Sequence, residues 1–399
     1  MNLMESRYVH LKQSLEGFKQ TGISLIEFDG TRLLPSYAGD DLGIYILVPK
    51  LVTWFNLSLD TGIALFIYGV IGISLLSGFI ACYFLYQSWL ERIVAWTGIV
   101  TVAKLAHYVG DVYIFYAMPV VALIPWVLYL TSKDTKRIIH ILFMLVVGVI
   151  AGTCHYVRCY SEVPIIICIF FLYIGALGMR RKSKIIILSA FLLGYGVAYN
   201  YFNTIYKNYV HYCQEYLPHH TIANKGHVFW HQVYIGFGFL NLLNKDNISY
   251  SDMCAASKVQ SIDPSVLYCS KEYESILKQE VLSLIKHNIT FAVFTICAKM
   301  GILLFFIIIF SNIGLYVAWL YRKPWNIELA FLCAVLFSFM APLLTVPILR
   351  NALGLVTFSI LYSILSINFA LSHGLYDAMK GSFKYIFSYT RMIKIRSLT

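Results

Sequence analysis

Apolar segments about as long as a lipid bilayer is thick recur along most of this 399-residue chain. The hydrocarbon core of a bilayer is about 30 Å thick, so a spanning helix needs roughly 20 mostly apolar residues. Nine segments approach this length and predict an all-α polytopic membrane protein. Their expected bounds are Thr61–Tyr86, Ile93–His107, Val112–Leu130, Ile138–Cys154, Val163–Met179, Ile185–Tyr201, Phe291–Leu320, Ile327–Pro347 and Ala352–Leu371. The 59% hydrophobic and 13% charged composition excludes an ordinary soluble domain.

Lys and Arg residues lie at alternate ends of these segments, and positive residues in short loops stay in the cytoplasm. The residues that set this orientation are Arg92, Lys133, Lys136, Arg137, Arg180, Arg181, Lys182, Lys184, Arg322, Lys323, Lys380, Lys384, Arg391, Lys394 and Arg396. We therefore expect the C-terminus in the cytoplasm and the long loop in the periplasm, with the protein in a bacterial inner membrane. Most of the net charge of +11 comes from these residues, so it indicates topology and membrane-lipid contact, not a nucleic-acid partner.

Five parts follow from this pattern. Residues 1–60 form an outer segment, 61–201 a six-helix membrane part, 202–290 a large outer loop, 291–371 a three-helix membrane part and 372–399 a basic cytoplasmic tail. Within the first part, Met4–Ile26 carries apolar residues at helical spacing and predicts an amphipathic helix in the membrane interface. Lys271–His287 has the same pattern and predicts a second amphipathic helix at the end of the loop.

Ionisable residues cluster beside the predicted spans on the outer face, where burial of charge is costly. Asp40 and Asp41 precede an apolar run, Asp111 lies in an outer turn, and His155 and Arg158 stand three residues apart in the next one. Asp111 also has a structural explanation, because an Asp at a turn or helix start caps free N–H groups, and Asp40 and Asp41 could instead form a solvated loop. Since bundled helices bring successive outer loops together, we expect two acids and an arginine to share one cavity.

The long loop contains the stretch Lys225–Gly238, which mixes histidine, glycine and aromatic residues. His227 and His231 are four residues apart, so a zinc site would need a third ligand from elsewhere. We interpret the stretch as the wall of a substrate groove, in which aromatic faces pack on sugar or lipid. Three cysteines lie in the same loop, and two of them could pair in an oxidising compartment. They are Cys213, Cys254 and Cys269.

In the order of its parts the chain resembles the GT-C superfamily of membrane glycosyltransferases. Members carry an acid in the first outer loop, a second acidic position in the next outer loop and a large outer loop after the seventh span. Asp40 or Asp41, Asp111 and the loop Tyr201–Thr290 follow this order if one helix is added before residue 1. The family's first span has no counterpart here, whereas Gly226–Gly238 resembles loop segments of bacterial members.

The resemblance implies an inverting transfer of sugar from a polyprenyl-phosphate carrier to a glycan, lipid or protein acceptor on the outer face. It makes Asp41, or else Asp40, the general base that takes the acceptor proton. Arg158 would hold the departing phosphate with help from His155. Asp111 would orient the acceptor or hold a divalent cation, which the sequence does not require. The further residues expected to contact substrate are Tyr45, His227, Trp230 and His231.

Two other functions remain open. An O-antigen polymerase or ligase also has many spans and a long outer loop, but such enzymes use Arg and His in that loop, and Tyr201–Thr290 has no Arg. A non-catalytic transporter or flippase is the second alternative. Transporters often show internal repeats, and the second half of this chain does not resemble the first.

Overall fold

The computed structural model describes residues 3–36, 41–133, 135–175, 181–218, 228–240, 244 and 247–375. Helices dominate these residues, and a short antiparallel hairpin pairs Ile26 with Pro35. The strands and helices are α1 Tyr8–Thr21, β1 Ile26–Phe28, β2 Leu33–Pro35, α2 Leu42–Trp54, α3 Leu59–Leu85, α4 Trp89–Val109, α5 Met118–Ser132, α6 Arg137–Val157, α7 Val163–Ile174, α8 Arg181–Tyr216, α9 Phe229–Gly236, α10 Asp252–Ile262, α11 Lys271–His287, α12 Ile289–Leu320, α13 Trp325–Leu344 and α14 Leu349–Ala370.

Seven helices of the described residues are long and apolar enough to cross a membrane. They are α3, α5 with the short helical turn Val112–Tyr116 before it, α6, α8, α12, α13 and α14. The prediction of a helical protein with many apolar spans is therefore confirmed in its coarse form. The other two expected spans differ from these seven. Helix α4 is long but carries charged residues, and α7 has only 12 residues.

Helix α14 is the most buried of the seven, whereas α12 exposes most of its apolar surface. Helices α4, α12 and α13 pack around α14. A β-carbon added at Gly314 of α12 would lie 2.4 Å from the β-carbon of Ser363 of α14. Only a glycine allows the two helices to approach this closely, as is common where helices pack in lipid.

Helices α6 and α8 pack closely by the same means. A β-carbon at Gly148 would lie 2.1 Å from the carbonyl oxygen of Phe191, and one at Gly194 would lie 2.0 Å from that of Leu145. Both distances are far below van der Waals contact, so small residues on both helices are required. This packing holds the end of α6 in place, and that end carries two of the predicted site residues.

A helix does form within Met4–Ile26, but as α1 it is shorter than predicted, since Ile26 belongs to β1. It buries Leu11 and Leu15 against the hairpin and α2. Just before α1, the backbone N–H of Met4 donates a hydrogen bond of 3.1 Å to the carbonyl oxygen of Gly110. Gly110 ends α4 with a φ of 58°, a left-handed conformation that favours glycine. The N-terminal segment is thereby fixed beside the turn that contains Asp111.

The long loop begins later than expected, because α8 continues as a helix to Tyr216 and does not end near Tyr201. The predicted helix Lys271–His287 is confirmed with the same bounds as α11. Helices α9, α10 and α11 share an apolar cluster that includes Val259, Leu277 and Val281. Among the described residues no disulfide forms, so the loop cysteines that could pair are all free.

Candidate functional site

A cavity of about 670 Å³ opens where the ends of several helices meet the N-terminal segment and the long loop. Its walls come from the residues before α1, the start of α2, the end of α6, the junction of α13 with α14, and helices α9 and α10. The polar and aromatic side chains that line it are Ser6, Arg7, His10, Asp41, Tyr45, Tyr113, Arg158, His231, Gln232, Tyr250, Ser251, Asp252, Tyr268, Thr345, Arg350 and Asn351.

Asp41 lies at the bottom of one wall and is 3% exposed. Nη1 of Arg158 donates hydrogen bonds of 3.2 Å to both carboxylate oxygens of Asp41, and Nη2 of Arg7 donates to Oδ2. The start of α2 can approach the end of α6 because residue 43 is a glycine. A β-carbon at Gly43 would lie 2.9 Å from the carbonyl oxygen of Tyr156. One carboxylate therefore holds two guanidinium groups.

Asp111 lies on the other side of Arg7. Nη1 of Arg7 donates to its Oδ1 at 3.1 Å and to its Oδ2 at 2.8 Å. Oδ1 also accepts a hydrogen bond from the backbone N–H of Val112, so the residue caps the turn that follows. Asp111 therefore both caps a helical turn and forms an ion pair with Arg7. Asp111 is not among the residues that line the cavity, and it acts on the site through Arg7.

The ring of Tyr113 contacts three guanidinium groups. Its centroid is 4.3 Å from the guanidinium carbon of Arg158, 5.5 Å from that of Arg350 and 5.8 Å from that of Arg7. These distances suit cation–π attraction. The three arginines reach this ring from α6, from the start of α14 and from the N-terminal segment, so Tyr113 marks the centre of a positively charged wall.

Arg350 differs from the other two arginines in its partners. No carboxylate forms an ion pair with Arg350 in the described part of the chain. Its Nε, like that of Arg158, is buried and has no hydrogen-bond partner among the same residues. Tyr250 of the long loop interacts with its side chain. A guanidinium held at a cavity wall without a carboxylate can accept an anionic ligand.

Charge coupling keeps this wall ionised. Burial alone would lower the pKa of Arg158, but Asp41 together with the neighbouring Tyr116, Tyr113 and Cys159 outweighs burial, and the pKa lies well above its ordinary value. The same balance between burial and the two carboxylates raises the pKa of Arg7. Burial alone would raise the pKa of Asp41, yet Arg158 and Arg7 hold it below its ordinary value. Asp41 is thus a carboxylate with low proton affinity.

Another part of the cavity lining is built around His231 of α9, which is 1% exposed. Its Nδ1 lies 2.8 Å from the hydroxyl oxygen of Tyr273, and its Nε2 lies 3.0 Å from Oδ1 of Asp252. The carboxylate of Glu274 accepts hydrogen bonds from the backbone N–H groups of Trp230 and His231 at 2.7 and 3.0 Å. Glu274 on α11 therefore holds the first turn of α9 in position.

Asp252 is the carboxylate of this site that is open to the cavity. It stands at the start of α10, and its side chain is 71% exposed, compared with 4% for Asp41. The hydrogen bond from His231 lowers its pKa, and the charges of Arg350 and Arg7 act in the same direction. The two acids of the cavity thus have opposite environments, since one is enclosed by arginines and the other faces solvent.

The remaining residues predicted from the sequence are distributed unevenly. Tyr45 lines the cavity, and burial raises the pKa of its hydroxyl. His155 instead forms a 2.8 Å contact through Nδ1 with Oε1 of Glu162 and is not part of the lining. The side chain of Trp230 lies beneath Lys278 and is also absent from the lining. Asp40 and His227 lie outside the described residues.

Sequence reasoning did not identify Arg7, Arg350 or Asp252 as site residues. Arg7 falls in a segment whose apolar spacing predicts only an interfacial helix, and its two carboxylate partners are far away in sequence. Arg350 was visible as a positive charge in a short outer turn, which is unusual for that side. Asp252 has no local pattern that separates it from other loop acids.

Metal-binding residues do not cluster in the described part of the chain, where no group of three or more His, Cys, Asp or Glu side chains could hold an ion. The two acids Asp41 and Asp111 are bridged by the guanidinium of Arg7. That guanidinium already supplies positive charge between them.

The fold and the site together define a class. It is an α-helical protein with seven candidate membrane spans in the part that the structure describes, and with an arginine-lined cavity where helix ends meet. No protein-family model, curated protein or solved structure matches the chain. Its function is therefore inferred from the cavity.

Proposed function

We propose that the chain is a membrane glycosyltransferase that moves a sugar from a polyprenyl-phosphate carrier to an acceptor. The observation that carries the proposal is the meeting of Arg7, Arg158 and Arg350 around Tyr113 at the end of an apolar helix bundle. A lipid-linked phosphate has its charge at the membrane surface and its chain in the bilayer. A positively charged cavity at the end of membrane helices suits both parts of such a donor.

Arg158 and Arg350 are proposed to hold the donor phosphate. A guanidinium presents two parallel N–H groups to phosphate oxygens, and it stabilises the negative charge that gathers as the sugar leaves. Asp41 fixes the direction of Arg158, and Arg7 joins Asp41 to Asp111. This assignment gives Asp41 a positioning role, because both of its oxygens already accept hydrogen bonds from arginines.

The cavity is proposed to face the periplasm of a bacterial inner membrane, with the C-terminus in the cytoplasm. The basic connections Lys133–Arg137 and Arg322–Lys323 join helices at the ends remote from the cavity, as the positive-inside rule requires. We propose that α4 and α7 also cross, which gives nine spans. Helix α4 has 21 residues and is about 31 Å long, enough to cross the hydrocarbon core.

An O-antigen polymerase or ligase remains the second candidate, and one observation favours it. The long loop has no arginine, but the N-terminal segment and two helix junctions supply three arginines to the cavity. Several arginines would also suit a lipid diphosphate, which carries more negative charge than a monophosphate.

Binding of a short lipid phosphate tests the proposal. The purified protein in lipid nanodiscs would be titrated with farnesyl phosphate, farnesyl diphosphate and uncharged farnesol. We expect farnesyl phosphate to bind at least tenfold more tightly than farnesol, and Arg350→Ala to remove that preference. Arg322→Ala changes an arginine in the connection from α12 to α13, away from the cavity lining, and serves as the control.

Equal binding of farnesol and farnesyl phosphate would contradict the proposal, as would an Arg350→Ala variant that binds like the control. Clear preference for the diphosphate would favour the second candidate. Transfer is then measured with radiolabelled hexoses on undecaprenyl phosphate as donors and alkyl glycosides as acceptors.

A further inference from the structure

We infer that Asp252, positioned by His231, is the group that takes the proton from the acceptor hydroxyl. The inference rests on the proposed function and adds to it the wall of the cavity on which the acceptor binds. It replaces Asp41, the base that the sequence pattern suggests, with an acid from the long loop.

Asp252 is more accessible to an acceptor hydroxyl than Asp41 is. Both oxygens of Asp41 accept hydrogen bonds from Arg158, one of them also from Arg7, and the side chain is 4% exposed. A general base must come within hydrogen-bond reach of the hydroxyl that it deprotonates. Asp252 meets this condition, because its side chain is 71% exposed and lines the cavity.

His231 and Tyr273 fix the orientation of the Asp252 carboxylate. Oδ1 of Asp252 contacts Nε2 of His231, so Oδ2 is the oxygen that serves the acceptor. An ionised carboxylate only accepts hydrogen bonds, which assigns the proton of a neutral His231 to Nε2. Nδ1 of His231 then accepts from the hydroxyl of Tyr273, which is 1% exposed. A buried tyrosine and a buried histidine thus hold the exposed acid in one direction.

Asp252 also shares the cavity with the arginines that are proposed to hold the donor phosphate. Asp252 and Arg350 line the same cavity, and the charges of Arg350 and Arg7 act on the Asp252 carboxylate. The phosphate of the donor and the hydroxyl of the acceptor must lie on opposite sides of the reacting carbon in an inverting transfer. The arginines and an exposed carboxylate line the same cavity, as this arrangement requires.

The transfer breaks two bonds and forms two. The acceptor O–H bond breaks and its proton moves to Oδ2 of Asp252, while the oxygen forms a bond to the anomeric carbon. The bond from that carbon to the donor phosphate breaks, and its electron pair stays on the phosphate, which the arginines hold. The proton leaves Asp252 for water, because the carboxylate is exposed and its pKa is low.

The experiment compares Asp252→Asn with Asp263→Asn in the full-length protein. Asp263 provides a matched control because it is another acid of the same loop. Its carboxylate accepts hydrogen bonds from the backbone N–H and the hydroxyl of Ser265. We expect Asp252→Asn to lower the rate of hexose transfer by roughly 100-fold or more, the size typical of a lost general base. Farnesyl phosphate binding should stay within about twofold of the wild type. Asp263→Asn should change neither quantity.

Tyr273→Phe tests the positioning chain, and Asp252→Glu tests rescue. Tyr273→Phe removes the hydroxyl that contacts His231, so we expect a smaller loss of rate than in Asp252→Asn and an altered pH–rate profile. Asp252→Glu keeps the carboxylate and should recover part of the activity.

The possible outcomes distinguish failure of the role inferred for Asp252 from failure of the proposed function. If the wild type transfers sugar and Asp252→Asn transfers it as fast as Asp263→Asn, the inference is overturned while the proposed function stands. If Asp252→Asn loses farnesyl phosphate binding as Arg350→Ala does, Asp252 belongs to the donor site and the inference is again wrong. If the wild type neither binds farnesyl phosphate nor transfers sugar, the proposed function fails and the inference falls with it.

Discussion

Arg7 and Asp111 are separated by 104 positions in the chain, yet Nη1 of Arg7 lies 2.8 Å from Oδ2 of Asp111. The same guanidinium also contacts Asp41, so the N-terminal segment contributes directly to the cavity wall. The N-terminal segment therefore has two roles. Helix α1 covers apolar surface beside α2, and Arg7 places a positive charge between two acids.

Removal of Arg7 should destabilise the protein. Arg7→Ala leaves Asp41 with one guanidinium and Asp111 with none, and loss of one partner of a buried ion pair typically costs about 3 kcal/mol or more. We expect a lower thermal unfolding midpoint in detergent than for the wild type. Arg32→Ala is the control, because Arg32 forms an ion pair with Asp29 but is largely exposed. Equal midpoints for the two variants would show that the Arg7 bridge contributes nothing to stability.

The stability of the fold should depend on pH through Asp41. The folded protein lowers the pKa of this carboxyl below its ordinary value of 3.8. A lowered folded-state pKa adds stability that is present above the ordinary value and is lost as the pH falls through the folded value. We expect the wild-type unfolding midpoint to fall steeply below about pH 4. Asp41→Asn should start lower at pH 7 and show a smaller acid-dependent loss, and parallel curves would contradict this origin.

Arg158→Lys should fold but bind lipid phosphate less well. Lysine keeps the positive charge, but it cannot place one planar group on both oxygens of Asp41 and also face a phosphate. We expect farnesyl phosphate binding to weaken about tenfold, which corresponds to about 1.4 kcal/mol. Arg92→Lys is the matched control, since Arg92 contacts the ring of Tyr83 and does not line the cavity. Similar affinities in both variants would remove Arg158 from the phosphate site.

The proposed topology can be tested at α4, the least apolar of the proposed spans. Gln87 precedes this helix and Tyr108 lies in its last turn, where it is exposed, so cysteines at these positions mark its two ends. In intact cells, a membrane-impermeant thiol reagent should label the Tyr108→Cys variant above the wild-type level, which native cysteines such as Cys254 and Cys269 set, and should leave the Gln87→Cys variant at that level. Reporter fusions at Thr399 and within Tyr250–Ser261 should likewise report opposite sides. Labelling of both cysteines would show that α4 does not cross.

The elements that sequence reasoning predicted well are those whose signal is local. Hydrophobic length predicts the long helices, and helical spacing of apolar residues predicts α1 and α11. The same reasoning ended α8 near Tyr201, because it followed the apolar run. The helix continues through polar residues to Tyr216, since helix continuation requires only backbone hydrogen bonds and compatible side chains.

The site was harder to predict because its partners are distant in sequence. Expected residues Asp41, Arg158, Tyr45 and His231 do line one cavity. The pairing of Arg7 with Asp111 and the exposure of Asp252 depend on how helix ends meet, and no local pattern encodes that. His155 shows the converse case: it stands three residues from Arg158, but its ring turns to Glu162.

The hydrogen bond from Met4 to Gly110 has a consequence for biosynthesis. The ribosome releases Arg7 early, but Asp111 and the turn that holds it emerge only after α3 and α4 have been made. Until then the N-terminal segment lacks its hydrogen bond to Gly110, and Arg7 lacks Asp111 as a partner. Arg350 emerges later still, so a nascent chain stalled before α14 would hold only two of the three arginines that surround Tyr113.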